Sequence, residues 1–197
     1  MTPDSSRVLP LSLYEADARD VAQRLIGCRL VSTVDGERTT GIIVETEAYL
    51  ADDPASHSFR GQTARNASMF GPGGHAYVYR SHGVCWCFNV VTGPQGRGEA
   101  VLIRALEPTE GTDTMQRRRR ITQKALLCKG PGRMCQALGI TRDLDGHRLD
   151  VPPLWIEDRG TEERRVVSSR RVGIAVGQDF RWRFLDGDSP YISRRPI

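Results

Sequence analysis

Ile43-Val44-Glu45-Thr46-Glu47-Ala48-Tyr49 is the stretch from which the fold is read, because it alternates apolar with polar or charged side chains. A period of two is that of a β-strand, so Glu45, Glu47 and Tyr49 point to one face. A strand with one face in solvent would show the same alternation. Upstream, Cys28 to Thr33 and Thr39 to Tyr49 flank Asp35-Gly36, and Asp-Gly between apolar runs predicts a hairpin whose second strand carries Glu47. Downstream, Ala51 to Gly74 is polar, small or turn-forming, a loop long enough to carry function in a small domain. A second hairpin follows, Ala76 to Ser81 and Val84 to Val91, turning at His82-Gly83, and then a strand from Ala100 to Leu106 closed by Pro108.

The remaining elements are read in the same way. Leu13 to Leu25 has near-helical apolar spacing and ends at Gly27, which predicts an amphipathic helix. Thr109 to Leu127 predicts a second helix; its run Arg117-Arg118-Arg119-Arg120 reads as a solvated face, with phosphate contact the alternative. Gly130-Pro131-Gly132 precedes a short helix near Met134 to Leu138, whose free N–H groups suit a phosphate. Trp155-Ile156, Val172 to Val176 and Trp182 to Leu185 read as short strands after Pro152-Pro153, and Thr161 to Arg165 as a loose loop. Residues 1–8 are read as a frayed end.

Length and composition set bounds. The chain of 197 residues, 39% hydrophobic and 26% charged, suits one globular domain spanning 1–197. Its net charge is +4, and its 28 basic residues include only two lysines, Lys124 and Lys129. Arginine clamps phosphate with a planar fork, so a nucleic-acid partner is favoured, although a GC-rich genome would also enrich arginine. The five cysteines are an odd set without disulfide spacing, which fits a reducing compartment. Met1 to Pro10 lacks a secretory apolar core, and no run approaches the roughly 18 apolar residues of a membrane helix. The expectation is an intracellular protein without a membrane contact. Cys85 and Cys87 with His57, His75 and His82 raise the alternative of a zinc site, but the spacing is not that of common zinc sites, and packed thiols are the favoured reading.

An ordered set of motifs carries more information than any one of them. Val44 to Tyr49, Ala55-Ser56-His57-Ser58, Thr63-Ala64-Arg65-Asn66, Met69-Phe70, Tyr77-Val78-Tyr79, Asn89, Val101 to Pro108, Gly130-Pro131-Gly132 through Leu138, and Arg171-Val172-Gly173 resemble the alkyladenine (3-methyladenine, methylpurine) DNA glycosylases in order and spacing. The resemblance covers about Gly27 to Tyr191. It implies a mixed α/β (α+β) domain with a curved antiparallel β core, flanking helices and a protruding hairpin that enters DNA. The implied activity is release of alkylated or deaminated purines from double-stranded DNA by a monomer without cofactor or metal.

The resemblance also assigns roles. Glu47, two residues before Tyr49, is implied as the base that activates water, with Arg104 supporting it and Glu45 a supporting or surface residue. Tyr49 would stack on one face of a flipped purine, His57 and Tyr79 on the other. Ala55 would bind the base, a backbone amide near His57 would add selectivity, and Asn89 would crowd the exocyclic amino group of guanine. With both lysines far along the chain, no Schiff-base lyase step is expected. Arg65, Gly130, Gly132 and Arg133 are candidates for the DNA backbone. At the hairpin tip relatives commonly carry Tyr; here His82 takes the wedge position, with less stacking area but the ability to carry charge, or else merely caps the turn. A binding module without catalysis is the competing reading, and the joint presence of Glu47, Tyr49 and Arg104 argues against it.

Overall fold

A computed structural model describes residues 4, 6–160 and 164–196. Its centre is β2 (Thr39–Tyr49), which is buried along nearly its whole length because it has more than two neighbours. β1 (Arg29–Ser32) pairs with Thr39–Ile42 across the predicted Asp35-Gly36 turn. β5 (Glu99–Glu110) runs along the other side. Where β1 has ended, β9 (Arg183–Asp186) pairs with Glu45, Thr46 and Glu47. The order β3-β4-β5-β2-β1-β7-β6 is completed by β3 (Ala76–Ser81), β4 (Cys85–Thr92), β6 (Asp150–Val151) and β7 (Leu154–Glu157). β8 (Val166–Ser169) pairs with β9, and every pairing is antiparallel. The sheet is curved and the class is α+β, as expected.

Register shifts between β2 and β5 flank Glu45, where β2 bends away from strict pairing. The face assignment still holds: Arg104 bonds both Glu45 and Glu47, and Tyr49 bonds Glu47. The opposite face meets α1 (Ala18–Arg24), where the Thr46 hydroxyl donates to Ala22 O at 2.9 Å. A solvent-facing strand is therefore excluded; Glu45 and Glu47 are both 0% exposed.

Several predicted boundaries move, each for a local reason. Leu13 to Leu25 is not one helix: a 3-10 turn at Leu11–Glu15 ends in extended Ala16, and the Asp17 carboxylate caps α1 by accepting from Arg19 N. The predicted helix Thr109 to Leu127 shrinks to α2 (Thr112–Arg119). Gly111 starts it with φ 70°, at a point where a Cβ would collide with the carbonyl of Arg38, and left-handed Arg120 ends it. β5 continues through Pro108 rather than stopping there, since Pro108 sits opposite Gly41 at a register shift. α3 (Pro131–Leu138) begins earlier than Met134, with Pro131 at its first position. Val172 to Val176 forms no strand; the amide of Val172 donates to the Glu47 carboxylate instead. β8 was not anticipated, and Thr161 to Glu163 lie outside the described residues. At the N-terminus, Val8 bridges to Glu157 and Leu9 N donates to Ile156 O.

Candidate active site

The site has a floor of buried charge. Glu47 Oε2 accepts from Arg104 Nη1 at 3.1 Å and from the Tyr49 hydroxyl at 2.9 Å, and Oε1 accepts from Val172 N at 2.7 Å. Arg104 Nε turns to Glu45 Oε1 at 2.9 Å, and Arg183 Nε reaches the same oxygen at 2.8 Å. Ser193 closes the group from the C-terminal side, its hydroxyl donating to Glu45 Oε1 at 2.7 Å and its amide to Oε2. Two carboxylates thus face two guanidiniums, so no buried charge is left uncompensated. Burial nevertheless pushes the Glu47 carboxyl above its ordinary 4.5, against the opposing pull of Arg104 and the Val172 amide. Glu45 is wholly buried, which rules out the surface alternative.

Above this floor lies a cavity of about 600 Å³. Tyr49, Arg104 and Val172 line it; Glu47, which all three hold by hydrogen bonds, is not itself among the lining residues. His57, Tyr77 and Tyr79 also line it, as one aromatic cluster: His57 meets Tyr79 edge-on at 4.4 Å between ring centres, and Tyr77 stacks on Tyr79 at 5.4 Å. A 2.8 Å hydrogen bond joins His57 Nδ1 to the Tyr77 hydroxyl. His57 opens toward the cavity mouth yet is flanked by these rings; that partial burial, with the charge of Arg65, lowers its pKa and keeps it neutral. Asn66 holds the loop, donating to His57 O at 2.8 Å and accepting from Thr63 N at 2.6 Å. Asn89 Nδ2 donates to Tyr77 O at 3.0 Å, and Ala55 and Asn89 both line the cavity.

Residues 12–190 match the family described as methylpurine-DNA glycosylase (MPG). The chain belongs to that family. These glycosylases are hydrolases of DNA base-excision repair. Relatives sharing this identity bear the provisional name 3-methyladenine DNA glycosylase. The one from Nitrosospira multiformis is 49% identical, covering 92% of this chain and 91% of its own. The one from Agrobacterium fabrum is 47% identical over 99% and 97%, and the one from Methanoculleus marisnigri 50% over 95% and 99%.

Of the remaining expected residues, the cavity brings in His82 and Arg65 but not Gly130, Gly132 or Arg133. His82, with φ 47°, sits exposed at the tip of the β3–β4 hairpin, lines the cavity edge and bonds the Ser81 hydroxyl at 3.1 Å. The tip is one residue longer than expected, since β4 starts at Cys85, and it leaves Val84 80% exposed. Arg65 also lines the mouth. Gly130 caps α3, Gly132 is packed so closely that a Cβ would meet Cys85 at 2.7 Å, and Arg133 is exposed; none of the three lines the cavity, although Pro131 between them does.

The arginine run is largely spent on the chain itself. Arg117 pairs with Glu37, Arg118 donates to Val34 O and Ala137 O, and Arg119 to Leu127 O and Gln136. The solvated-face reading fits Arg117 and Arg120, which are exposed, and not the half-buried Arg118 and Arg119. Among the described residues no three His, Cys, Asp or Glu side chains are placed to hold a metal ion, and no helix is long and apolar enough to cross a membrane. Neither lysine is among the residues lining the cavity. Arg183 and Ser193, which hold Glu45, had no signal in the sequence; Tyr77, which fixes His57, and Arg171, which pairs with Asp53 behind Tyr49, lie in quoted motifs that gave them no role.

Proposed function

We propose that this glycosylase, acting as a monomer with residues 1–197 as one domain, releases 3-methyladenine, 7-methylguanine, hypoxanthine and ethenoadenine from duplex DNA. The observation that carries the reading is an aromatic-lined cavity large enough for a purine, three of whose lining residues, Tyr49, Arg104 and Val172, hold the buried Glu47 carboxylate by hydrogen bonds. Enzymes that act on a base inside a duplex extrude it into such a pocket and pay for unstacking with new ring contacts. The purine would lie between Tyr49 and the His57–Tyr79 wall, with Ala55 beside it and Asn89 crowding the amino group of guanine.

Glu47 takes the proton of a water that attacks C1′, the bond to the purine breaks, and the base departs with the bonding electrons. The water is placed where Arg104 and Val172 reach the cavity edge above Glu47. Burial that raises the Glu47 pKa makes it a better proton acceptor, and its charge offsets the positive charge growing on the sugar. Alkylation at N3 or N7 gives a cationic leaving group that needs little help, whereas hypoxanthine and ethenoadenine depend more on the enzyme. No lysine in the pocket offers a Schiff base, so the reaction ends at an abasic site. His82 serves as the wedge, and Arg65, Arg133 and the Gly130–Gly132 segment approach the backbone.

The test uses duplexes that each carry one lesion, incubated with the protein and then treated with alkali. Strand breaks at the lesion after alkali, and none before it, are expected. Duplexes that remain intact for all four lesions would overturn the reading.

A further inference from the structure

Tyr49 has two faces, and only one belongs to the cavity. Behind the ring lies Arg171, its guanidinium carbon 4.7 Å from the Tyr49 centroid and 5.2 Å from that of Trp182. Arg171 and Asp53 form a forked ion pair, Nη2 to Oδ1 at 2.9 Å and Nη1 to Oδ2, with both side chains 0% exposed. Arg171 Nη1 also donates to Ala48 O at 3.1 Å and Nη2 to Gly177 O at 3.3 Å, while Asp53 Oδ1 accepts from Ala55 N at 3.0 Å. Neither charged residue lines the cavity. The ring is thus a partition with a space for a ligand in front and a fixed cation behind.

A cation on one face of an aromatic ring draws on the same ring electrons that would attract a cation on the other. The charge of Arg171 also acts directly through a region of low dielectric. A ring-alkylated purine is cationic and a deaminated purine is neutral, so the two meet this charge differently. Asp53 cancels much of it, which lets one pocket accept both. We propose that the Arg171–Asp53 pair, acting through Tyr49, is a specificity-determining device that sets the preference between cationic and neutral lesion bases. The inference rests on reading the cavity as the base pocket.

The experiment measures single-turnover release of 7-methylguanine, which is cationic in DNA, and of hypoxanthine, which is neutral, and takes the ratio of their efficiencies. Asp53→Asn leaves the cation uncancelled, and the ratio should fall roughly thirtyfold, the scale of a unit charge roughly 8 Å away at an effective dielectric near 20. Arg171→Gln leaves the anion uncancelled, and the ratio should rise by a similar factor. The double variant has neither charge and should stay within about threefold of the parent.

A merely structural role would slow both reactions together and leave every ratio unchanged. Near-UV circular dichroism checks that each variant is folded; should one single variant not fold, the other still differs from the double variant by one buried charge and gives the sign. Unchanged ratios, or shifts of the same sign in both single variants, would overturn the inference while leaving the base-pocket reading intact. Release of neither base by the parent would overturn both.

Discussion

The floor and the mouth of the cavity are built on opposite terms. On the floor, Glu45, Glu47, Arg104 and Arg183 come from three adjacent strands, are almost wholly buried, and each holds at least one charged partner. At the mouth, among the described residues His82 has only the Ser81 hydroxyl as a side-chain partner, and Val84 stands in solvent. A group locked by several neighbours can be positioned well before any substrate arrives, but altering it endangers the fold. A tip residue costs the fold little to change, and what it contributes comes only when something docks. Substitution should therefore cost stability on the floor and little at the mouth.

The contrast is sharpest at Glu45. Glu45→Ala leaves Arg183 and part of Arg104 without a carboxylate in a buried site, and should lower unfolding free energy by about 3–5 kcal/mol in denaturant titration. A loss below about 1 kcal/mol, the level of an exposed pair, would erase the distinction between the regions. At the mouth, His82→Ala should weaken binding to lesion duplexes by about 1–3 kcal/mol, the worth of one stacked ring, without moving the denaturant midpoint. His82→Tyr should tighten it. Parent-like binding by both variants would give the wedge role to another residue, with Val84 the first to examine.

Acid titration separates the regions again. Because burial raises the Glu47 pKa, base release should fall about tenfold per pH unit on the acid side, with the midpoint above the ordinary 4.5. The stability sign is opposite: the folded state holds this proton more tightly than the unfolded chain, so the group favours folding below the ordinary carboxylate pKa. That advantage is lost as pH rises through the folded value. A hypoxanthine release rate flat down to pH 4.5 would remove Glu47 from the rate law. The smallest expected effect is at Arg65, where Arg65→Ala should reduce the slope of log affinity against log salt by about one unit, with excision at saturating enzyme unchanged.

What could be read beforehand follows from how local each signal is. The alternation from Ile43 to Tyr49 and the Asp35-Gly36 turn are short-range patterns, and they placed Glu45, Glu47 and Tyr49 on one face correctly. The aromatic wall came from the order of motifs in a family, since Tyr77, Tyr79 and His57 carry no mark individually. Asp53 and Arg171 meet across 118 positions, and Glu45 and Ser193 across 148, distances over which sequence periodicity says nothing. Helix ends failed where one residue outweighed periodicity: Asp17 as a cap, Gly111 at a close approach to Arg38, Arg120 in a left-handed turn. Val172 was misread because its apolar neighbours suggest a strand, while its amide is committed to a carboxylate.

The central claim is that the buried floor does the chemistry, and Glu47→Gln tests it most directly. The amide keeps the size and can still accept from Arg104, but cannot take a proton from water. Single-turnover release of hypoxanthine should fall at least about a hundredfold, while affinity for the lesion duplex stays within about threefold of the parent. Release at the parental rate by a folded Glu47→Gln variant would contradict the account.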